Sequence, residues 1–334
     1  MTLLESLYYV GYSIKKRHAL KNQKRLPARV MSIGNITLGG TGKTPAVIAL
    51  AEEAKKRGIS PCILTRGYKG KAKGPCFVST GKGPLLDEYQ AGDEALLMAS
   101  KLQGIPVVKG KDRYKAGMFV TQKLTSHPLF ILDDGFQHWR LYRDIDILLL
   151  DSSRPFGNGR LLPLGSLREP INAISRADFI IITKTGTRSQ GSEKDYLTKE
   201  IRRYNKDAQL FFAEHNPIKF INIYDEVMPL EWAKKKSFFS FCGIGNPQSF
   251  KETLLSMDIT LKGFMAFRDH HRYSQNDIKS IAKDASRSGA EWTVTTEKDI
   301  MRLKGLSLPK NLVSLCIEFH VDQTFYSEVF RNDS

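Results

Sequence analysis

From residue 30 onward, short apolar or β-branched runs alternate with stretches of helical periodicity, and this alternation leaves few architectures open. "ARVMSIGN" reads as a strand, Thr44 to Arg57 as a helix and "PCILTRG" as a strand. "DEALLMASKL" is helical, "PVVKG" strand-like, and Lys111 to Leu124 helical again. "LFILDDG", "DIDILLL" and "ADFIIITK" follow as buried-looking strands. Strands that are apolar on both faces and separated by helices need cover on both sides, which predicts an α/β fold with a mostly parallel sheet sandwiched by helices.

The rhythm breaks at 208–224, "AQLFFAEHNPIKFINIY", which reads as extended chain with a turn near Asn216-Pro217. It resumes with "SFFSFCGIG", a helix from Pro247, "LKGFMAF", a helix from Ser274 to Arg287 and "EWTVTT", and ends in the extended run "NLVSLCIEF". The expected layout is an amphipathic N-terminal helix at 1–26, a larger α/β domain at 27–212 and a linker strand at 213–226. A smaller α/β domain at 227–310 and a return strand with C-terminal tail at 311–334 complete it.

The stretch "GNITLGGTGKTPAVIAL" sits between the first strand and the first helix of that rhythm. A phosphate-binding loop reads Gly, four residues, then Gly-Lys-Ser/Thr. Gly42-Lys43-Thr44 is present, but Thr37 stands where the first glycine belongs. The substitution is tolerable if Thr37 need not adopt positive φ and Gly39-Gly40 supply the freedom instead. The amides of residues 37–44 (Thr37, Leu38, Gly39, Gly40, Thr41, Gly42, Lys43 and Thr44) would then cradle a triphosphate at the helix N-terminus, with Lys43 on the β- and γ-phosphates and the Thr44 hydroxyl on Mg²⁺. "LFILDDGFQH" ends a strand in Asp133-Asp134, where carboxylates beside such a loop would help hold the metal; an Asx-type turn before Gly135 is the plainer reading.

The chain carries a net charge of +16 and so calls for an anionic partner. Residues 1 to 30 hold Lys15, Lys16, Arg17, Lys21, Lys24, Arg25 and Arg29 against the single acid Glu5, behind the apolar run "MTLLESLYYVGYSI". That run is too short and too polar to span a bilayer, which takes about 20 residues. Its charges follow rather than precede the apolar stretch, unlike a signal peptide. A helix lying in an anionic headgroup layer has this pattern, and so does an amphipathic helix packed on the protein's own core. The four cysteines are far apart and form no CxxC pair, which argues against a zinc site or a disulfide framework. No base-stacking aromatic motif accompanies the basic residues, so nucleic acid is not the expected partner, and nothing points to an obligate protein partner.

Two families of phosphate-loop protein compete. "GGTGKT" resembles the deviant loop of partitioning and Fe-nitrogenase-like ATPases, but their signature lysine would fall at Leu38. "GNITLGGTGKTP", "TRGYKG", "GDE", "KDR", "LDDGFQH", "LREP", "FRDHH" and "TTEKD", in this order and over nearly the whole chain, resemble the tetraacyldisaccharide 4′-kinases of Gram-negative inner membranes. In that family the loop itself lacks the first glycine. The resemblance implies two α/β domains joined by a two-stranded linker. It also implies transfer of the γ-phosphate of ATP, with Mg²⁺, to the 4′-hydroxyl of a tetraacylated glucosamine disaccharide 1-phosphate, the lipid A precursor. It places the N-terminal helix at the cytoplasmic face of the inner membrane. A membrane-associated phosphate-loop ATPase without a phosphorylated lipid product is the alternative.

The same resemblance implies roles for residues whose spacing alone is ambiguous. Asp93, in "AGDEALLMA", matches the base that takes the hydroxyl proton, although by itself it reads equally as a helix N-cap. His270, in "FRDHH", matches the histidine that partners this aspartate, with His271 its nearby rival; the pair would then meet when the domains close. Arg113 of "KDR", Arg168 of "LREP" and Arg66 of "TRGYKG" are candidate phosphate ligands, because a guanidinium grips such oxygens bidentately. Glu169 beside Arg168 is a candidate helper of the metal. Glu297, Lys298 and Asp299 match a family signature of underived role. "CGIGNPQ" looks like part of a dinucleotide fingerprint but is better read as Asn246 capping a helix that begins at Pro247.

Overall fold

The computed structural model describes residues 2–124, 128–184 and 191–331, which form two compact units: residues 1–215 with 319–334, and residues 216–318. The first unit begins with helix α1 (Leu3–Lys21) and strand β1 (Val30–Gly34), followed by α2 (Lys43–Lys56), β2 (Pro61–Thr65), β3 (Cys76–Ser79), α3 (Glu88–Ala91) and α4 (Asp93–Lys101). Then come β4 (Val107–Lys109), α5 (Arg113–Lys123), β5 (Leu129–Asp133), β6 (Ile145–Asp151), β7 (Phe179–Thr183), α6 (Gly191–Arg202) and β8 (Gln209–Asn222). Its sheet runs β8-β7-β6-β1-β5-β2-β4-β3, parallel throughout except for β3 against β4. Strands β1, β2, β5 and β7 are buried at every residue, as doubly covered parallel strands must be. Ala116 and Val120 of α5 pack on Val30, Leu64 and Phe130, while Leu197 and Ile201 of α6 pack on Leu148 and Ile180.

This strand order positions the site. The chain leaves β1 toward β2 on one side and later returns to lay β6 on the other, so β1 lies between β5 and β6. A crevice opens beyond the carboxyl ends of parallel strands where connections diverge in this way. The register pairs Ile33 with Asp133, which sets the β5 carboxylate level with the start of the glycine-rich loop.

The second unit contains β9 (Val227–Pro229), α7 (Leu230–Ala233), β10 (Ser237–Cys242), α8 (Pro247–Leu255), β11 (Thr260–Ala266), α9 (Gln275–Arg287), β12 (Trp292–Thr296), α10 (Glu297–Arg302) and most of β13 (Leu312–Val321); α11 (Gln323–Val329) follows in the first unit. Strands β11, β10, β12 and β13 are adjacent and parallel, and β9 lies antiparallel to the end of β8. The Asn246 side chain accepts from the Ser249 N–H, with Pro247 opening α8, so this segment is a capped helix and no dinucleotide loop.

The turn expected at Asn216-Pro217 is absent, because β8 continues through it. The β7 ladder on β8 ends at Ala213 and the β9 ladder begins at Lys219, so Pro217 falls between these two ladders. The chain passes between the units at His215/Asn216 within β8 and at Glu318/Phe319 within β13.

Helix α1 starts in a capping box: the Thr2 hydroxyl accepts from the Glu5 N–H, while the Glu5 carboxylate accepts from the Thr2 N–H. Its inner face docks through Glu5, Tyr8 and Tyr12. Leu3, Leu7, Val10 and Ile14, spaced three and four apart, form an outward stripe, each more than half exposed.

Candidate active site

The loop answers the question raised by Thr37. Residues 36–38 pair antiparallel with 166–168: Leu38 N–H donates to the Ser166 carbonyl (2.7 Å), and Arg168 N–H to that of Ile36 (2.7 Å). Thr37 is thus extended and buried in a bridge, where a first glycine would serve no purpose. The left-handed positions are Gly39 (φ +117°) and Gly42 (φ +83°). Gly42 is the N-cap of α2, and a Cβ there would strike the His215 ring.

Polar groups from five segments meet at the ends of β1 and β5. Asn35 is fully buried; its Nδ2 donates to the Thr37 carbonyl (2.8 Å), and its Oδ1 accepts from Lys43 Nζ (3.2 Å) and an Arg168 guanidinium nitrogen (3.1 Å). Lys43 Nζ lies 3.7 Å from Asp134 Oδ1. Arg168 grips both Asp134 oxygens, at 2.8 and 3.1 Å, so it is turned to a carboxylate rather than standing apart as a phosphate ligand. Burial works to raise the Asp134 carboxyl, but Lys43 and Arg168 prevail and hold it well below the usual range. Asp134 also adopts φ +50°, a backbone that few side chains accept.

Asp133 behaves differently. It is buried; its Oδ2 accepts from the Thr65 hydroxyl (2.8 Å), while Oδ1 is buried with no hydrogen-bond partner among the described residues. Burial, then the charges of Glu94 and Asp134, push its carboxyl up to about 6. A buried carboxylate oxygen without a donor is costly unless something else fills the position. Among the described residues no group of three or more His, Cys, Asp or Glu forms a ready-made metal cage. Mg²⁺ is usually held by one or two carboxylates together with substrate oxygens, and Asp133, Asp134 and the buried Thr44 carry oxygens of that chemistry.

The expected cations lie on the same side. Arg113 is buried, donates to the carbonyls of Asp133 (3.3 Å) and Lys111 (3.2 Å), and keeps a buried, unpartnered Nε. Burial lowers its proton affinity, and Asp133 and Asp134 work against that. Arg66 is exposed, and its charge reaches Arg113.

Asp93 is the first residue of α4 and buried, behind Gly92 at φ +88°. It does not occupy the cap position its sequence setting suggests: Gly92 is the N-cap, and Asp93 Oδ1 accepts from the adjacent Glu94 N–H (2.9 Å). The "TRGYKG" loop builds this corner. Lys71 and Ala72 N–H donate to the Tyr89 and Gln90 carbonyls, Lys109 Nζ donates to Gln90 (2.5 Å), and a Cβ at Gly92 would strike the Tyr68 carbonyl.

Glu169 is corrected by the geometry. Its Oε1 accepts from Arg176 (2.6 Å) and Gln137 (2.7 Å), and its Oε2 from Arg176 (2.8 Å) and the Tyr12 hydroxyl (2.9 Å). All four lone-pair positions of this fully buried carboxylate are taken, leaving none for a metal. The sequence placed it next to Arg168, but in the bend at 168–169 Arg168 turns to Asp134 and Asn35 while Glu169 turns to Arg176, Gln137 and Tyr12.

Several members of the site escaped the sequence. Lys184 Nζ donates to the Gly40 carbonyl (2.9 Å) and pairs with Asp151 (2.5 Å); the Thr183 hydroxyl donates to the Thr41 carbonyl (3.1 Å); His215 abuts Gly42. These brace the loop from beneath. The signal for Asn35 was available: it is a polar residue directly following an unbroken apolar strand.

In the second unit, His270 has φ +55°, and its N–H donates to the Gly243 carbonyl (2.9 Å). His271, the rival, has its ring stacked on Phe267 (4.6 Å between centroids) with Nε2 3.3 Å from Asp277 Oδ2. His271 is committed to the fold.

Comparison with known proteins gives one consistent result. Residues 1–332 match the family model described as tetraacyldisaccharide-1-P 4′-kinase. A tetraacyldisaccharide 4′-kinase of Syntrophus aciditrophicus is 41% identical over 90% of this chain and 83% of its own length. One of Halothermothrix orenii is 34% identical over 97% of this chain and 89% of its own. A crystal structure of LpxK from Aquifex aeolicus in complex with ATP, described as an "apo" form, superposes with a TM-score of 0.77 at 32% identity, covering 98% of this chain and 96% of that one.

Proposed function

Because the chain belongs to the tetraacyldisaccharide-1-P 4′-kinase family, we propose that the residues gathered at the ends of β1 and β5 perform the phosphoryl transfer from ATP to the 4′-hydroxyl of a tetraacylated glucosamine disaccharide 1-phosphate. The protein is an ATP-dependent kinase of this reaction. The observation that carries the site assignment is the convergence of Lys43, Asp133 and Asp134 beside a loop whose amides open toward the same end of the sheet.

The residues divide the work as follows. Loop amides 37–44 and Lys43 hold the triphosphate, and Arg113, with its unpartnered Nε, adds positive charge. Asp133, Asp134 and Thr44 hold Mg²⁺, which when bound neutralises charge on the transferring group. Arg168 and Asn35 fix Asp134 and Lys43 relative to each other. Asp93 accepts the proton of the 4′-hydroxyl as the new O–P bond forms and the bond to the ADP oxygen breaks, and His270 is the second catalytic residue of this reading. Arg66 is left as a contact to substrate phosphate.

We place the enzyme on the cytoplasmic face of the inner membrane. Among the described residues no helix is long and apolar enough to cross a membrane. The outer stripe of α1, flanked by Lys15, Lys16, Arg17 and Lys21, suits a helix lying in an anionic headgroup layer. Lys16 and Arg17 also line a groove of about 350 Å³ beside Pro170 and Asn172.

Incubation with γ-labelled ATP, Mg²⁺ and the lipid disaccharide 1-phosphate in detergent should move label to the lipid. ATP hydrolysis without labelled lipid defeats the reading and revives the ATPase alternative. Asp93→Ala should cut kcat by about 10²–10⁴ with ATP binding intact. Flotation with anionic vesicles should recover the protein, and Val10→Asp should release it.

A further inference from the structure

The motif "TTEKD" has no task in the chemistry described so far, yet its aspartate is among the most deeply enclosed polar groups of the second unit. Asp299 is fully buried. Its Oδ1 accepts from the Gly243 N–H (2.9 Å) and the Tyr273 hydroxyl (2.7 Å) and lies 3.0 Å from an Arg302 nitrogen; its Oδ2 accepts from the Thr296 hydroxyl (2.5 Å). Arg302 in turn donates to the carbonyls of Gly243 (3.0 Å) and His271 (3.1 Å). The Asp299–Arg302 pair therefore grips Gly243 on both its N–H and its carbonyl, and grips the 271–273 segment through His271 and Tyr273.

Between those grips sits His270. Its N–H shares the Gly243 carbonyl with Arg302, and its backbone is held at φ +55°. A β-carbon in the left-handed region is disfavoured and persists only where surrounding contacts over-determine it. The contacts that do so here converge on Asp299. Gly243 is closely packed, since a Cβ would press at 3.1–3.2 Å on the Arg268 carbonyl, the His271 Cβ and the Tyr273 hydroxyl. A brace serving only the core would have no reason to close on one strained turn.

We propose that Asp299, acting through Tyr273 and Arg302, is a positioning residue that fixes the His270 turn for catalysis. The inference rests on the reading of His270 as a catalytic residue. Tyr273 is the handle for testing it, because Tyr273→Phe removes one hydroxyl from Asp299 and leaves the ring against Phe241 and Phe267.

The experiment measures kcat, KM for ATP and thermal midpoint for the wild type, Tyr273→Phe, His270→Ala and the double variant. Tyr273→Phe should lower kcat about tenfold with KM for ATP unchanged, and by less than about twofold in the His270→Ala background, where there is no imidazole left to misplace. Equal losses in both backgrounds, or no loss in the wild-type background, overturn the proposal while leaving the His270 assignment standing. Wild-type turnover by His270→Ala removes that assignment and this inference together. Asp299→Asn should show the same background dependence; if it proves too unstable to purify, Tyr273→Phe alone decides.

Discussion

Both units end parallel strands in a buried carboxylate, and the two carboxylates are treated in opposite ways. Asp133, at the end of β5, has one oxygen satisfied by Thr65 and the other enclosed without a donor among the described residues. Asp299, just beyond β12, has both oxygens engaged by four neighbours. Burial is the same, and only the count of donors differs. An enclosed carboxylate with open valence is prepared for a ligand from outside, whereas one with closed valence is a structural knot. The glycine-rich loop, the Lys43–Asp134 contact and the unpartnered Nε of Arg113 accompany the open case. A tyrosine, an arginine and a backbone amide accompany the closed one.

The difference can be broken from either side. Asp133→Asn should cost the largest effect, about 10³-fold in phosphoryl transfer, with the Mg²⁺ requirement raised and the thermal midpoint unchanged or higher. Loss of stability in step with activity would show that Asp133 is a knot too. Asp299→Ala strands Arg302 in the interior and should destabilise by about 3 kcal/mol in denaturant titration; a midpoint within error of wild type would make the closed network ornamental.

The support beneath the loop predicts a pH effect of intermediate size. Burial, then Lys184, lower the His215 imidazole to about 4, against 6.5 for an ordinary histidine. A group depressed in the folded state takes up protons first in the unfolded state, so its contribution is complete above about pH 7.5 and lost as pH falls through 6.5 toward 4. The loss amounts to about 2 kcal/mol at pH 5. His138, lowered to about 4 by burial and then Arg113, acts in the same direction, while Asp133, raised to about 6, opposes both, so His215→Gln should lessen the acid destabilisation without abolishing it. An unaltered slope would remove His215 from the account. The smallest effect is expected for Gly42→Ala, which combines positive φ with pressure on the His215 ring: about tenfold weaker ATP binding with kcat largely kept.

How much of this could be read from the sequence depended on range. Strands β1, β5, β6 and β7 announced themselves through unbroken apolar runs, and the loop through spacing within eight residues. The cap Asn246 was legible because capping is local. Glu169 was misread because its partners, Arg176, Gln137 and Tyr12, come from three separate segments. His215, 173 residues from Gly42, left no local trace. Pro217 misled because it falls between the β7 and β9 ladders, within a strand that continues through it. Strand β3 and helices α3, α7 and α10 are too short to show periodicity.

Tyr8 and Tyr12 bond the inner face of α1 to the carbonyl of Arg168, which clamps Asp134, and to the carboxylate of its neighbour Glu169. The helix is therefore a splint as well as the proposed membrane contact. Trimming the first 26 residues to obtain a better-behaved preparation would strip two donors from the turn that steadies the reaction centre, and the resulting sluggish enzyme would be mistaken for one that had merely lost its mooring. Recharging Leu3, Leu7, Val10 and Ile14 while sparing the tyrosines is the surgery that tells the two apart.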